Sequence, residues 1–345
     1  MTCPSTIQGV QSSVPITVRR PRTRIVVLNW NGRDMTAECL RSLLAMDAKD
    51  LEILVIDNGS RDGSVEYLRS TFPQGQVVAN GRNLGFAAAC NIGMERGLEE
   101  GAEFVLLVNN DTLVAPGMLK ELLLAAESEP RAAIVSPKIF YFDHPARLWW
   151  GGGRYSLWRG LPSHIGRRSD DRGQHDKPRS VDWATGCVML LRCAALRDFG
   201  FFDERIFGNG EDLDLSLRAR KRGWRILYAP RAEVWHKEGF DYRRNVGEHV
   251  RIFTASRNLP WIMRKHGNRL QRLAFWPQFI FAHLPFVMLQ SVRRGDFRSA
   301  GAALAGTRAY FEMCRNPEAV ALPEELVRTT VPREKHAPPN PQAGD

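Results

Sequence analysis

Apolar runs alternate with amphipathic stretches along the first part of the chain. The runs have the length and the Val, Ile and Leu content of buried strands, and stretches with apolar residues at helical spacing follow them. Strands are predicted at 24–29, 51–56, 76–79, 104–108 and 133–135, and helices at 35–46, 64–70 and 116–128, with a further helix starting within 83–93. This alternation predicts an α/β fold with a Rossmann-like, mostly parallel sheet and helices on both faces.

The pattern becomes less regular after Trp149. The segment 163–179 is dense in Gly, Arg, Asp and His, which is typical of a long mobile loop, and loops of this length are usually functional lids or disordered. Strand character returns at 181–191, where Gly186 breaks the run. The elements predicted next are a helix at 213–221 closed by Gly223 and two short strands at 224–228 and 232–235.

A helical pattern continues from residue 246, and its most apolar stretch is 273–289. Pro277 and Pro285 interrupt this stretch, which makes it a poor candidate for a membrane-spanning helix of ~20 mostly apolar residues. Arginines and a lysine flank it on both sides. An apolar segment with basic flanks favours a helix lying on a membrane surface, and a helix pair packed on the main domain fits equally well.

These changes in pattern divide the chain into four predicted parts. They are a disordered tail at 1–21, an α/β domain at 22–245, a helical region at 246–317 that is a candidate for membrane association, and a Pro-rich disordered tail at 318–345.

Charge adds a preference for anionic partners. The 345 residues carry 48 Lys and Arg against 38 Asp and Glu, which gives a net charge of +10 and a pI near 9.6. Such a surplus suits nucleic acid, a nucleotide diphosphate or an anionic membrane surface. The basic residues are spread along the chain and no nucleic-acid-binding motif occurs, so a nucleic-acid partner is not expected.

Cysteine usage favours a reducing compartment. The six cysteines are scattered, with no CxxC pair, so neither a disulfide framework nor a zinc site is predicted. We therefore expect a cytosolic protein.

Candidate chemistry lies in carboxylates that follow predicted strands or open a helix. No dinucleotide fingerprint or P-loop occurs. Asp111 follows a buried strand, which is a natural position for a cation ligand, and Asp57 follows another, from which it could accept hydrogen bonds from a base or ribose. Asp212 follows a glycine-rich turn at a helix start, where it can act as a base or as a helix cap. His236 at a strand end is a possible metal ligand, although a lone histidine is more often structural.

Together these stretches resemble family 2 glycosyltransferases of the GT-A fold. The similarity covers roughly 24–239 and extends to the rhamnosyltransferase-like branch that builds bacterial surface polysaccharides. The motifs that carry it are Val27-Leu28-Asn29-Trp30-Asn31-Gly32, Asp57-Asn58-Gly59-Ser60, Asn83-Leu84-Gly85-Phe86 with Asn91, Asn109-Asn110-Asp111-Thr112, Gly200-Phe201-Phe202-Asp203-Glu204, and Gly210-Glu211-Asp212-Leu213-Asp214-Leu215 with Arg218.

The resemblance implies a metal-dependent, inverting glycosyltransferase whose catalytic domain is 22–245. Its donor would be a nucleotide-diphospho-sugar, either dTDP-linked rhamnose or a UDP-linked hexose. Its acceptor would be a glycan, lipid-linked or part of a surface polysaccharide, and acceptor choice is expected to depend on the loop 151–179. The resemblance also implies work at the cytoplasmic face of the inner membrane, where the protein would be peripheral and touch an anionic lipid surface.

The family pattern also implies site residues. Asp212 would be the general base, with Glu211 beside it in the catalytic motif. The donor-binding residues would be Asn29, Asn31, Asp57 at the nucleobase, Arg82, Asn83, Asn109, Asp111, Trp183 and Gly186. Of these, Trp183 and Gly186 would line the donor–acceptor junction together with Thr185.

The implied cofactor is Mg²⁺ or Mn²⁺, held by Asp111 and His236. Asp111 stands at the last position of the family's acidic metal motif, and His236 stands where relatives have a metal-binding histidine. This sequence has Asn109 at the first position of that motif. We therefore expect weaker metal binding rather than its loss, because asparagine still offers a carbonyl oxygen.

Two other classes of protein remain open. A non-catalytic nucleotide-sugar or carbohydrate-binding protein can use the same scaffold, since a fold does not determine a function; the presence of Asp111 and Asp212 favours the enzyme. A nucleotidyltransferase is also α/β and metal-dependent, and the Glu211-Asp212 pair after a glycine-rich turn speaks against it.

Overall fold

A computed structural model describes residues 21–48, 50–237 and 247–316. The tails predicted at 1–21 and 318–345, apart from residue 21, lie outside the described residues.

Within the described residues, ten strands form one sheet in the order β10-β12-β6-β11-β4-β1-β2-β3, with β5 paired to β12 and β7 to β6. A separate two-stranded sheet is formed by β8 and β9. The twelve strands described are β1 Thr23–Asn29, β2 Glu52–Asp57, β3 Gln76–Ala79, β4 Phe104–Asn109, β5 Thr112–Val114, β6 Ala132–Tyr141, β7 Leu148–Trp150, β8 Gly153–Tyr155, β9 Pro162–His164, β10 Arg179–Ser180, β11 Val188–Arg192 and β12 Arg225–His236. Strands β3, β2, β1 and β4 run parallel, as do β6 and β12, and β11 lies antiparallel between these two blocks.

Helices cover both faces of this sheet. They are α1 Arg33–Leu44, α2 Ser64–Thr71, α3 Phe86–Glu99, α4 Met118–Glu127, α5 Cys193–Phe199, α6 Glu211–Lys221, α7 Glu248–His266, α8 Arg269–Gln278, α9 Leu284–Arg293 and α10 Phe297–Arg315. Alternate residues of β1 enter different cores: Ile25 and Val27 pack with α1 and α4, and Val26 packs with α3. The predicted α/β fold, with a mostly parallel sheet, helices on both faces and a helical C-terminal part, is confirmed.

Several predicted boundaries were wrong where tertiary pairing extends an element. The two strands predicted at 224–228 and 232–235 are one strand, β12, which continues through Pro230. Its register against β6 shifts between Ala229 and Glu233, and a bulge of this kind accommodates a proline that cannot donate to the ladder. Pro116 precedes α4 instead of lying in its first turn.

The segment 163–179 is tied to the sheet and is not irregular throughout. Part of β9 lies at its start, where β9 pairs with β8, and β10 begins at its end. Lys138 of β6 is 2% exposed and binds Asp171 at 2.7 Å and Asp176 as a second ion pair. A long-range ion pair has no local sequence pattern, so the loop prediction missed this anchor.

The prolines of the apolar C-terminal stretch do not interrupt it. Helices α8 and α9 join through a π-helical segment, Phe279–His283, into one continuous helix from Arg269 to Arg293. By length and composition this helix could cross a membrane, contrary to the prediction, and 17% of its apolar window is buried within the protein. We call it the Arg269–Arg293 helix.

Candidate active site

A cavity of 1160 Å³ opens at the carboxyl ends of β1, β2 and β4 and reaches the C-terminal helices. This is the edge at which an open α/β sheet binds its ligands. Of the residues predicted for the site, the cavity wall contains Asn83, Asn109, Asp111, Thr185, Gly186, Glu211, Asp212 and His236. The structure therefore brings together residues from five separate stretches of the chain.

Asp57 ends β2 and is 1% exposed, and it does not form part of the cavity wall. Its Oδ1 accepts hydrogen bonds from the backbone N–H groups of Gly59 at 3.2 Å and Ser60 at 2.9 Å, and its Oδ2 accepts one from Asn29 Nδ2 at 2.6 Å. These bonds close the turn after β2. Contact between Asp57 and a nucleobase stays a prediction, and the residue that faces the cavity from this turn is Asn58.

Three other predicted donor residues also lie off the cavity wall. Asn29 is fully buried and bridges Asp57 to Thr36 Oγ1, which donates to Asn29 Oδ1 at 2.7 Å. Asn31 accepts a hydrogen bond from the Arg61 N–H at 2.8 Å. Arg82 is exposed, and its backbone passes so close to Gly59 that a Cβ there would lie 2.5 Å from it. These residues shape the turns around the cavity, and their contact with a donor stays a prediction.

Asn58 and Asn83 form a polar pair that sequence reasoning half missed. Asn58 Nδ2 donates to Asn83 Oδ1 at 2.8 Å, and the Leu84 N–H donates to Asn58 Oδ1 at 3.0 Å. Gly85 follows with φ +86°, and a Cβ there would lie 2.5 Å from the Phe207 ring. Gly85 is therefore required by close packing against Phe207. The side-chain amides of Asn58 and Asn83 both face the cavity.

Asp111 and His236 meet because β5 pairs with the end of β12, where Thr112 lies opposite His236. His236 Nε2 lies 3.1 Å from Asp111 Oδ2, and both residues are more than nine-tenths buried. Burial alone would lower the pKa of His236, but the Asp111 carboxylate and the Cys187 thiol raise it well above its ordinary value.

The Asp111–His236 pair fits a divalent cation. Asp111 Oδ2 and His236 Nε2 lie 3.1 Å apart as an ion pair. This separation would also suit two neighbouring ligand atoms of one ion at ~2.1 Å, once the imidazole gives up its proton on metal binding. The described residues hold no cluster of three or more His, Cys, Asp or Glu suited to a metal. The pair therefore fits an ion that takes its remaining ligands from phosphate oxygens and water.

Glu211 and Asp212 open α6 after Gly210, whose φ of +116° is a conformation that L side chains rarely adopt, and a Cβ there would lie 2.8 Å from Ile262 Cδ1. Asp212 Oδ2 accepts a hydrogen bond from the Gly186 N–H at 2.9 Å, and its Oδ1 accepts one from the Leu213 N–H at 2.7 Å. Burial raises the pKa of Asp212 to about 6, so this carboxylate is ionised at neutral pH. It is oriented by two backbone donors on the cavity wall.

The carboxyl group of Glu211 differs from that of Asp212 in its hydrogen bonding and in its pKa. It is 7% exposed, and its Oε2 is buried with no hydrogen-bond partner among the described residues. Burial and the adjacent Asp212 carboxylate raise the pKa of Glu211 to about 8. The pair therefore offers one ionised and one protonated carboxyl group at pH 7.

Trp183 belongs to an aromatic cluster instead of the cavity wall. Its ring packs at 4.7 Å from Trp150 and 5.4 Å from His164, and its indole N–H donates to the Arg154 carbonyl. The cluster reaches the cavity through Trp149, whose ring centroid lies 4.5 Å from that of His236. Sequence reasoning missed Trp149 because no local pattern separates it from an ordinary core tryptophan.

The far side of the cavity is built by α7 and the Arg269–Arg293 helix, which sequence reasoning treated as an appendage. Asn258 Nδ2 donates to the carbonyls of Gly208 at 2.8 Å and Asn209 at 2.9 Å, just before α6. The wall residues from these helices and the turn after them include Arg251, Ile252, Ser256, His283, Val287, Gln290 and Arg294. Only tertiary packing brings them to the site, so no local signal could have found them.

Comparison with known proteins gives consistent matches. The family model described as "Glycosyltransferase like family 2" matches residues 21–254. An N-acetylglucosaminyl-diphospho-decaprenol L-rhamnosyltransferase of Mycobacterium tuberculosis is 29% identical over 263 residues, covering 69% of this chain and 85% of that protein. The galactofuranosyltransferase GlfT1 of Mycolicibacterium smegmatis is 26% identical over 264 residues, covering 74% and 87%.

Two solved structures share the fold at low sequence identity. The mannosyltransferase PcManGT from Pyrobaculum calidifontis, in complex with GDP-Man and Mn²⁺, has a TM-score of 0.51 and 18% identity, covering 91% of this chain and 84% of that one. Residues 1–349 of S. aureus TarS give a TM-score of 0.52 and 15% identity, covering 86% and 92%.

Replacing Glu211 with glutamine is expected to stabilise the protein at alkaline pH. Because the folded-state pKa lies above the unfolded value of ~4.3, the folded state binds more protons between these pKa values. Stability attributable to Glu211 therefore falls as pH rises from about 4 to about 8. In thermal unfolding, Glu211→Gln should exceed the wild type by roughly 5 °C at pH 9 and lose this advantage at pH 5.

The matched control is Glu312→Gln, which removes an exposed carboxylate paired with Arg308. Its unfolding temperature should follow the wild type at every pH. Equal pH dependence in Glu211→Gln and the wild type would show that Glu211 is ionised in the folded state.

Proposed function

This chain belongs to glycosyltransferase family 2 and is a glycosyltransferase of the GT-A fold, and we propose that it is an inverting, metal-dependent enzyme. It moves a sugar from a nucleotide diphosphate donor to a lipid-linked acceptor. The observation that carries this proposal is Asp212, an ionised carboxylate held by two backbone N–H groups on the wall of the cavity, with Asp111 and His236 on the same wall.

Asp212 is the proposed general base. Its carboxylate accepts the proton of the acceptor hydroxyl as that oxygen attacks the anomeric carbon from the side opposite the departing diphosphate. A pKa raised to about 6 keeps the group ionised near neutral pH while strengthening it as a base. The hydrogen bond from the Gly186 N–H holds the carboxylate in place before the acceptor arrives.

Asp111 and His236 are the proposed cation ligands. When bound, Mg²⁺ or Mn²⁺ neutralises charge that gathers on the departing nucleotide diphosphate. The solved structure of PcManGT holds GDP-Man together with Mn²⁺. Asn109 at the first motif position offers an amide instead of a carboxylate, so a bound ion would have one protein charge fewer around it and would be held more weakly.

Donor recognition is assigned to the turns after β1, β2 and β3. Asn58 and Asn83 present amide groups to the cavity, and Asp57 and Asn29 fix the turn that carries Asn58. The relatives are named for transfer of rhamnose and galactofuranose, which supports a dTDP- or UDP-linked donor carrying rhamnose or a hexose.

We assign the Arg269–Arg293 helix to the cytoplasmic membrane surface. Its outer side exposes large apolar residues, with Phe281 80%, Leu273 71% and Phe286 59% exposed. Its other side contributes Gln290 and Ser291 to the cavity that holds Asp212. A helix that lines a polar cavity along one side suits the membrane interface better than a full crossing.

Asp212→Asn is expected to reduce sugar transfer by about 10³-fold, because asparagine cannot accept the hydroxyl proton. Donor affinity should stay within about threefold of the wild type, since the substitution is isosteric. A panel of nucleotide sugars, tested with polyprenyl-diphosphate-linked sugars as acceptors, measures transfer, and calorimetry measures donor binding.

Asp198→Asn serves as the control, because Asp198 lies on the surface beside Trp224. It should retain full activity. If the wild type binds a donor tightly and transfers its sugar to no acceptor, the non-catalytic binding protein becomes the better description.

Asp111→Asn and His236→Gln are expected to raise the Mn²⁺ dissociation constant by roughly tenfold or more, since the first removes the carboxylate charge and the second removes the imidazole nitrogen from the proposed ligand set. Electron paramagnetic resonance measures free Mn²⁺ directly, with and without nucleotide diphosphate. Asp143→Asn, on an exposed turn, should bind the ion as the wild type does. Full transfer activity in excess EDTA would refute the metal assignment.

Phe281→Asp is expected to abolish binding to vesicles rich in phosphatidylglycerol, because it places a charge on the exposed apolar side. Flotation on a density gradient measures this, and the wild type should rise with the vesicles. Leu124→Asp makes the same change at a site on α4 that is 49% exposed, and it should still float. Wild-type protein remaining at the bottom would contradict the membrane assignment.

A further inference from the structure

The cavity extends past Asp212 into a region that the donor does not need. Its wall there is formed by α7, the Arg269–Arg293 helix and the turn that follows it. Asp111 and His236 line the sheet end of the same cavity, which is the donor end by the assignment above. We call the region formed by the helices the helical end of the cavity.

The helical end carries one positive charge that the described part of the chain does not neutralise. Arg294 is exposed on the wall, and its side chain makes no hydrogen bond or ion pair with any described residue. Two acids, Asp296 and Glu248, line the same wall, and each has other contacts. Asp296 accepts hydrogen bonds from Ser299 at the start of α10, and Glu248 binds Arg251. Arg294 is therefore placed to bind an anion, with Arg251 on the same wall.

The apolar exterior begins within one helix diameter of this charge. Val287 and Gln290 of the Arg269–Arg293 helix face the cavity, while Leu289 and Val292 are 49% and 43% exposed. A helix with its side chains is ~10 Å across. A molecule bound at Arg294 can therefore continue directly over an apolar surface.

We propose that the helical end binds the diphosphate of a polyprenyl-diphosphate-linked acceptor, with Arg294 as its main ligand and Arg251 beside it. The acceptor sugar then extends to Asp212, and the polyprenyl chain leaves across the exposed side of the Arg269–Arg293 helix into the membrane. Along the cavity, the proposed general base Asp212 is followed by Arg294 and then by the exposed apolar side of the Arg269–Arg293 helix. This order matches the order of sugar, diphosphate and lipid in such a molecule. This inference rests on the proposed function and adds the acceptor's anchoring group to it.

The test is direct binding of farnesyl diphosphate and farnesol to full-length protein in detergent, with EDTA present and saturating UDP or dTDP occupying the donor end. The wild type should prefer the diphosphate by roughly tenfold or more, because only the diphosphate can make a charge-assisted contact with Arg294. Arg294→Gln should remove most of this preference, and Arg294→Lys should restore part of it. Inorganic pyrophosphate should compete weakly, since it lacks the apolar chain.

Arg293→Gln is the matched control, because it removes the same charge from an adjacent exposed position that does not line the cavity. It should bind both ligands as the wild type does. No preference for farnesyl diphosphate, or a preference that survives Arg294→Gln, would overturn the inference. Pyrophosphate competing as well as farnesyl diphosphate would exclude the lipid part of it. Failure of the wild type to bind any nucleotide in a parallel titration with Mg²⁺ would instead count against the proposed function.

Discussion

The geometry of the site depends on the buried carboxylate of Asp214, two residues after Asp212. It accepts hydrogen bonds from Arg218 Nε at 2.9 Å and His266 Nε2 at 2.8 Å and pairs with Lys265 Nζ at 2.6 Å. Burial would raise the pKa of Asp214, but these neighbours hold it well below its ordinary value. Because Lys265 and His266 belong to α7, the Asp214 carboxylate connects α6, which carries Asp212, to the C-terminal helices. The far wall of the cavity is held by that connection.

Much of the fold follows from short-range pattern. Val26 and its neighbours in β1 have the apolar continuity of a strand buried on both faces, so the order of strands and helices was predictable. The carboxyl ends of these strands then located Asp111. The wall supplied by Arg251 and Arg294 was not predictable, because residues far apart in the chain are joined there only by packing. Asp212 after a glycine-rich turn and His236 at a strand end were already candidates, and the resemblance to a family gave each its expected role. That resemblance ended before the C-terminal helices that complete the cavity.

The Arg269–Arg293 helix illustrates why proline is an uncertain guide to helix ends. Pro285 lies in the first turn of α9, at a point where the preceding turn is already π-helical. In a π-helical turn the backbone hydrogen bonds span five residues instead of four, so the N–H that proline lacks is tolerated there. Sequence pattern alone assigns a break to such a proline, since the π-helical turn forms only within the packed helix.

The two sides of the Arg269–Arg293 helix also decide which kind of concentration sets the encounter rate with each substrate. Under the proposed function, the donor arrives from water in three dimensions, whereas the acceptor diffuses sideways within a lipid sheet. The relevant acceptor concentration is then the number of molecules per unit area of membrane. Adding empty lipid at constant total acceptor slows the enzyme without changing any bulk concentration. On that proposal, the protein behaves kinetically as a surface enzyme for the acceptor and as a solution enzyme for the donor.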